Sequence, residues 1–117
     1  MYSERLLDHF QNPRNPGELG PPAQAVEVSN PACGDILRLT ARWNGDCIAE
    51  VRYRTRGCTA SIAAGSALTE IMVGKKAAEL AALKPADVEN TLGGLSNESK
   101  HAAVLAIDAL RALLRSR

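Results

Sequence analysis

At 117 residues the chain has room for one domain, residues 1–117, with a modest core that needs no disulfide staples. Fourteen basic residues against 13 acidic ones leave a formal charge of +1, which excludes the clear basic excess that nucleic-acid binding requires. No apolar run approaches the roughly 20 residues of a membrane span. The opening Met1-Tyr2-Ser3-Glu4-Arg5 leads straight into amphipathic sequence without a signal-peptide core, so a cytoplasmic location is expected. Cys33, Cys47 and Cys58 form an odd set with no CxxC pair, which points to reduced thiols rather than a disulfide framework or a zinc ribbon. Aromatic residues are only 3% of the chain, so the core must be built from Leu, Val, Ile and Ala, with helices in close approach.

Ser3 can cap a first helix over about Ser3 to Gln11, with Leu6, Leu7 and Phe10 on one face. His9 lies in this helix beside charged neighbours and reads as a surface residue. Asn12-Pro13-Arg14-Asn15-Pro16-Gly17 stops the helix and opens a loop that runs to Pro22. Val26 and Val28 alternate with Glu27, predicting a short strand. From Ile36 to Trp43 the alternation is clear, with Leu37, Leu39, Ala41 and Trp43 on one face and Arg38, Thr40 and Arg42 on the other. Asn44-Gly45 is a favoured hairpin pair. The next run places Cys47, Ala49, Val51, Tyr53 and Thr55 on the covered face, with Glu50, Arg52 and Arg54 opposite. Cys47 therefore reads as a core residue.

A small-residue helix is expected from Ala60 to Val73, closed by Gly74, then short helices near Ala77–Leu83 and Pro85–Thr91. Beyond Gly93-Gly94, Ser96 or Asn97 can cap a last helix carrying Val104, Ile107, Leu110, Leu113 and Leu114. Helix, meander, then helices is the order of an α+β fold, in which helices cover one face of a three-stranded antiparallel sheet.

The groups able to carry chemistry are few. In Asn30-Pro31-Ala32-Cys33-Gly34-Asp35 a stiff turn holds a thiol and a carboxylate two residues apart; both are ligand types for iron or zinc, although the same residues also make an ordinary turn. Cys58 precedes a first helical turn, where free amides and the macrodipole favour a thiolate; a structural cysteine at a strand-to-helix junction fits equally. His101 lies in the opening turns of the last helix and by itself reads as a solvated side chain.

Taken together, Tyr2-Ser3-Glu4, Asp8-His9, Asn12-Pro13-Arg14-Asn15, Pro31-Ala32-Cys33-Gly34-Asp35 and Arg56-Gly57-Cys58-Thr59-Ala60-Ser61 resemble the IscU/NifU-type iron–sulfur cluster assembly scaffolds, and the resemblance continues through His101 to Leu110. It implies a non-enzymatic scaffold or carrier that takes iron and sulfur, with a cysteine desulfurase as sulfur source and apo iron–sulfur proteins as recipients. Cys33 and Cys58 match two cysteine ligands, Asp35 the aspartate that tunes cluster lability, and His101 the histidine at the site. The family's third cysteine falls on Ala102, which offers neither a lone pair nor a sulfur for a persulfide. Leu95-Ser96-Asn97-Glu98-Ser99-Lys100 stands where the family has the LPPVK segment read by an Hsp70-type chaperone, which counts against chaperone-driven delivery. Cys33, Asp35, Cys58 and His101 could hold iron or a [2Fe–2S] cluster with mixed ligation, or close a tetrahedral zinc site. The second alternative makes the chain a zinc-bound sulfur acceptor serving the desulfurase.

Overall fold

The computed structural model describes residues 2–31 and 34–117. A short helix, α1 (Glu4–Gln11), precedes three strands, β1 (Gln24–Ser29), β2 (Ile36–Asn44) and β3 (Cys47–Arg56). Four helices follow: α2 (Thr59–Met72), α3 (Ala77–Ala81), α4 (Pro85–Thr91) and α5 (Lys100–Arg115), the last entered through one 3₁₀ turn at Asn97–Ser99. The strands form one antiparallel sheet in the order β1-β2-β3, which is the expected α+β meander.

Ser3 caps α1 as its spacing predicts, accepting from the Leu6 amide at 3.0 Å while its own hydroxyl donates to the Leu92 carbonyl. The face the helix buries differs from the predicted one. Leu6 is buried, but Leu7 and Phe10 are 39% and 37% exposed, and His9 is buried in their place. Turning His9 inward costs apolar burial, and its polar partners on α2 offset that cost.

α2 is enclosed almost all round, touching α1, β3, α4 and α5. Its small residues make that possible: Ala60, Ala63, Ala64 and Ala67 are fully buried. At Gly65 a Cβ would overlap the Tyr53 ring, so only glycine lets β3 and α2 approach this closely. Leu37, Leu39, Ala41, Val51 and Tyr53 supply the sheet's side of the core, and Leu105, Ile107, Leu110 and Leu113 supply that of α5.

The sheet departs from strict alternation at its hairpin end. Arg42 pairs with Glu50 but Trp43 pairs with Ile48, so Ala49 is an extra residue and the parity of β3 inverts beyond it. Ile48 is therefore buried, Ala49 is exposed, and Cys47, expected in the core, is only half-buried. Trp43 is likewise only partly buried; its indole N–H donates to Gln24 Oε1 at 2.7 Å and Arg117 stacks over the ring at 4.0 Å. The turn residues are Gly45 and Asp46, one place later than the Asn44-Gly45 pair, since Asn44 still pairs with Cys47; Gly45 has the positive φ (62°) of such turns. Thr40, expected on the wet face, is buried because the Leu19 amide donates to its hydroxyl at 2.9 Å as the preceding loop crosses the sheet.

No helix among the described residues is long and apolar enough to cross a membrane.

Candidate metal centre

Three separate segments meet at the end of the sheet away from the hairpin. The first enters β2: Gly34 takes a positive φ (77°), its amide donates to the Asn30 carbonyl at 2.7 Å, and the Asn30 amide donates to the Asp35 carbonyl at 2.8 Å. These two bonds fix the start of β2 and set Asp35, 6% exposed, beneath the rim. The second segment is the β3-to-α2 junction. Cys58 is the N-cap residue of α2, with extended φ and ψ of −73° and 166°, and its carbonyl accepts from the Ile62 amide at 3.1 Å. The third is the start of α5, which brings in His101.

The side chains converge. Cys58 Sγ lies 3.4 Å from Asp35 Oδ2 and 3.7 Å from His101 Nε2, and His101 Nε2 lies 3.6 Å from Asp35 Oδ2. One ligand atom from each of Asp35, Cys58 and His101 falls within 4.8 Å of the other two. His101 Nδ1 sits 2.9 Å from the Glu98 carbonyl, which can only accept, so that nitrogen carries a proton and it is Nε2 that faces the site. A backbone carbonyl holding the far nitrogen is the usual way a metal-ligating imidazole is oriented. An oxygen, a sulfur and a nitrogen donor of this kind suit iron and zinc. Cys33, expected as a fourth ligand, lies outside the described residues.

Two residues that sequence reasoning left without a role hold Asp35 in place. Ser61 is fully buried, and its hydroxyl donates to Asp35 Oδ2 at 2.5 Å while lying 3.4 Å from Cys58 Sγ. The signal was its spacing: three residues after an N-cap, a side chain sits one helical turn on and faces the same end. Gly57 supplies the space. A Cβ there would overlap the Asp35 carboxyl carbon and lie 2.6 Å from Oδ1. Burial works against ionisation of Asp35, but hydrogen bonds from Ser61, the Cys58 thiol and the Cys58 amide, with the nearby His101, more than offset it and hold the carboxyl below its ordinary value. Ala102, directly after His101, is wholly enclosed in the core.

The other histidine is placed quite differently. His9, expected at the surface, is 5% exposed; its Nδ1 is 2.7 Å from Ser66 Oγ, and its Nε2 is 3.8 Å from Glu70 Oε2. Arg14 closes the cluster, its amide donating to Ser66 Oγ at 2.8 Å and its side chain pairing with Glu70 at 3.2 Å and Asp8 at 2.6 Å. The Asn12-Pro13-Arg14-Asn15 motif therefore ties α1 to α2, and its last residue reaches β3, where the Asn15 carbonyl accepts from the Tyr53 amide at 3.0 Å.

The description of one protein family, the NifU-like N-terminal domain, matches residues 1–116. The chain belongs to that family. Among curated relatives of this NifU-like domain, the iron–sulfur cluster assembly scaffold protein IscU of Escherichia coli K12 is 38% identical over 117 residues, covering 97% of this chain and 91% of the relative. IscU 1 of Archaeoglobus fulgidus is 39% identical, covering 95% and 72%. A bifunctional NifU/MnmA protein of Rubrobacter xylanophilus is 47% identical over 111 residues; the match takes in 93% of this chain but only 23% of that longer protein. A crystal structure of a putative scaffold for the SUF system from Fervidobacterium islandicum shares the fold with a TM-score of 0.80 at 21% identity, covering 97% and 96% of the two chains.

Proposed function

We propose that this NifU-like domain is an iron–sulfur cluster assembly scaffold: a non-enzymatic carrier that receives iron and sulfur and passes a [2Fe–2S] cluster to apo-proteins. The observation that carries the reading is the convergence of Asp35, Cys58 and His101 within 4.8 Å in a chain of this family. Cys33, Asp35, Cys58 and His101 are the proposed ligands, with residues 1–117 acting as one domain in the cytoplasm, where thiols stay reduced. Mixed carboxylate and imidazole ligation makes the cargo labile, as suits a protein that must release it. A cysteine desulfurase is the proposed sulfur source. Leu95-Ser96-Asn97-Glu98-Ser99-Lys100 leaves an Hsp70-type chaperone outside the proposal.

Anaerobic reconstitution with ferrous iron and sulfide, followed by desalting, tests the reading. A coloured protein retaining both iron and acid-labile sulfide is expected, and a colourless iron-free one overturns it. The same O, S and N donors, with Ala102 adding no thiol, also support a zinc-bound sulfur acceptor. Mass spectrometry after desulfurase treatment separates the two. A gain of about 32 Da on Cys58 or Cys33 in zinc-loaded protein that assembles no cluster favours the acceptor.

A further inference from the structure

On the outer face of the sheet, away from the helices, lies an open recess of about 380 Å³ lined by Glu27, Ile36, Arg38, Arg54, Thr55 and Arg56. Three of its residues are arginines and only one is acidic. The strand register sets Arg38 directly opposite Arg54 and Ile36 opposite Arg56. Like charges facing each other across a ladder destabilise it unless an anion lies between them. Here a carboxylate does: Oε1 of Glu18, from the loop before β1, is 2.8 Å from Arg38 Nε and 3.9 Å from an Arg54 guanidinium nitrogen. Arg54 is held at the limit of ion-pair range with its side chain 68% exposed, and Arg56 enters no ion pair among the described residues. The neighbouring acid on this face, Glu50, is already shared by Arg42 at 2.6 Å and Arg52 at 3.7 Å. Glu27, the acid that lines the recess, is in no ion pair among the described residues, so the Glu18 carboxylate alone pairs with two of the guanidiniums and the third has no ion-pair partner.

We infer that this recess docks an acidic segment of a partner protein, whose carboxylates engage Arg54 and Arg56 and compete with Glu18 for Arg38. Glu18 is an internal demonstration that a protein carboxylate fits there. Arginine forks take carboxylates bidentately, which gives such a contact orientation as well as affinity. Its place has a consequence, because Arg56 is two residues before Cys58 along the chain. A partner held on the outer face thus reaches over the rim where Asp35, Cys58 and His101 meet, from the side the helices leave open. The docking surface stands apart from the metal ligands, so it does not depend on which ion or cluster they hold.

The test is titration of the isotope-labelled full chain, at low and at physiological salt, with acetylated hexaglutamate; hexaglutamine and a hexathymidylate oligonucleotide serve as controls. Amide shifts confined to residues 36–38 and 54–57, weakening with salt, are expected. Arg54→Glu with Arg56→Glu should weaken the peptide about tenfold or more, and Glu18→Gln should tighten it several-fold by removing the internal competitor. Arg54→Gln with Arg56→Gln gives the same direction with less risk to folding. Shifts spread evenly over Arg111, Arg115 and Arg117, equal binding of hexaglutamine, tighter binding of the oligonucleotide, or affinity unchanged in all three variants would each overturn the inference. Zinc binding is expected to be retained in every variant, so loss of docking is distinguishable from failure of the metal centre.

Discussion

Two histidines, one beside the N-cap of α2 and the other against Ser66 within that helix, show how far neighbours decide a side chain's work. His101 stands at the open end of α2, half-exposed, with Nδ1 engaged by a carbonyl and Nε2 facing a thiol and a carboxylate. His9 lies on the closed side of the same helix, buried, with Nδ1 on Ser66 and Nε2 toward a carboxylate that Arg14 already neutralises. The first faces a thiol and a carboxylate and has access to solvent, as an ion-exchanging site needs. The second is a strut: its polar atoms are spent on joining α1 to α2. Residue type alone separates neither.

Removing the thiol tests that contrast most strongly. Cys58→Ala should lower zinc affinity by on the order of a hundredfold or more, read by competition with a chromophoric chelator. Exchanging the histidines sharpens it. His101→Ala is expected to cost about 10- to 100-fold in metal affinity with little change in the stability of the metal-free chain. His9→Ala should do the reverse, lowering stability by about 2–4 kcal/mol in urea unfolding while metal affinity stays within about twofold. Equal loss of affinity in both variants would erase the distinction. Gly57→Ala probes the support of the site rather than its ligands. The new methyl displaces Asp35, so roughly tenfold weaker metal binding and about 1–3 kcal/mol of destabilisation are expected.

The smallest effect is the pH response of the strut. Burial, and after it the Arg14 cation, holds the His9 pKa below its ordinary value despite Glu70 and Asp8. The unfolded chain therefore takes up a proton near pH 6.5 that the folded one resists. This contribution to stability is complete above that pH and is lost as pH falls below it. In metal-free protein the stability difference between the natural chain and His9→Gln should shrink between pH 7.5 and about pH 5. A difference constant over that range would show that His9 is no more reluctant to protonate when folded.

Most of the architecture was legible because it rests on local signals. The Ser3 cap, the alternation from Ile36 to Ala41, the Gly74 stop and the Pro85 start each act over a few residues, and the elements formed where they were expected. The misreadings share one cause. Which face of α1 turns inward, the extra residue at Ala49 and the burial of Thr40 are decided by contacts with segments far away in the chain. A helix pattern in which Leu6, Leu7 and Phe10 compete with His9 cannot announce that Ser66 and Glu70 wait on another helix. Ser61 was overlooked for a similar reason, since its spacing from Cys58 puts it at the head of the helix but gives it no role until Asp35 arrives beside it.

The order of residues along the chain settled which chemistry is on offer: a thiol and an acid on either side of Gly34, a second thiol at a helix start, one imidazole near the head of the last helix, and alanine where the family has a third thiol. Only the folded arrangement could decide that Asp35, Cys58 and His101 stand within 4.8 Å of one another while His9 does not join them. The physical reason is range. Caps, turns and alternation are written in the nearest few residues, whereas a site drawn from three segments exists only once the sheet and α2 have packed closely enough to bring them together.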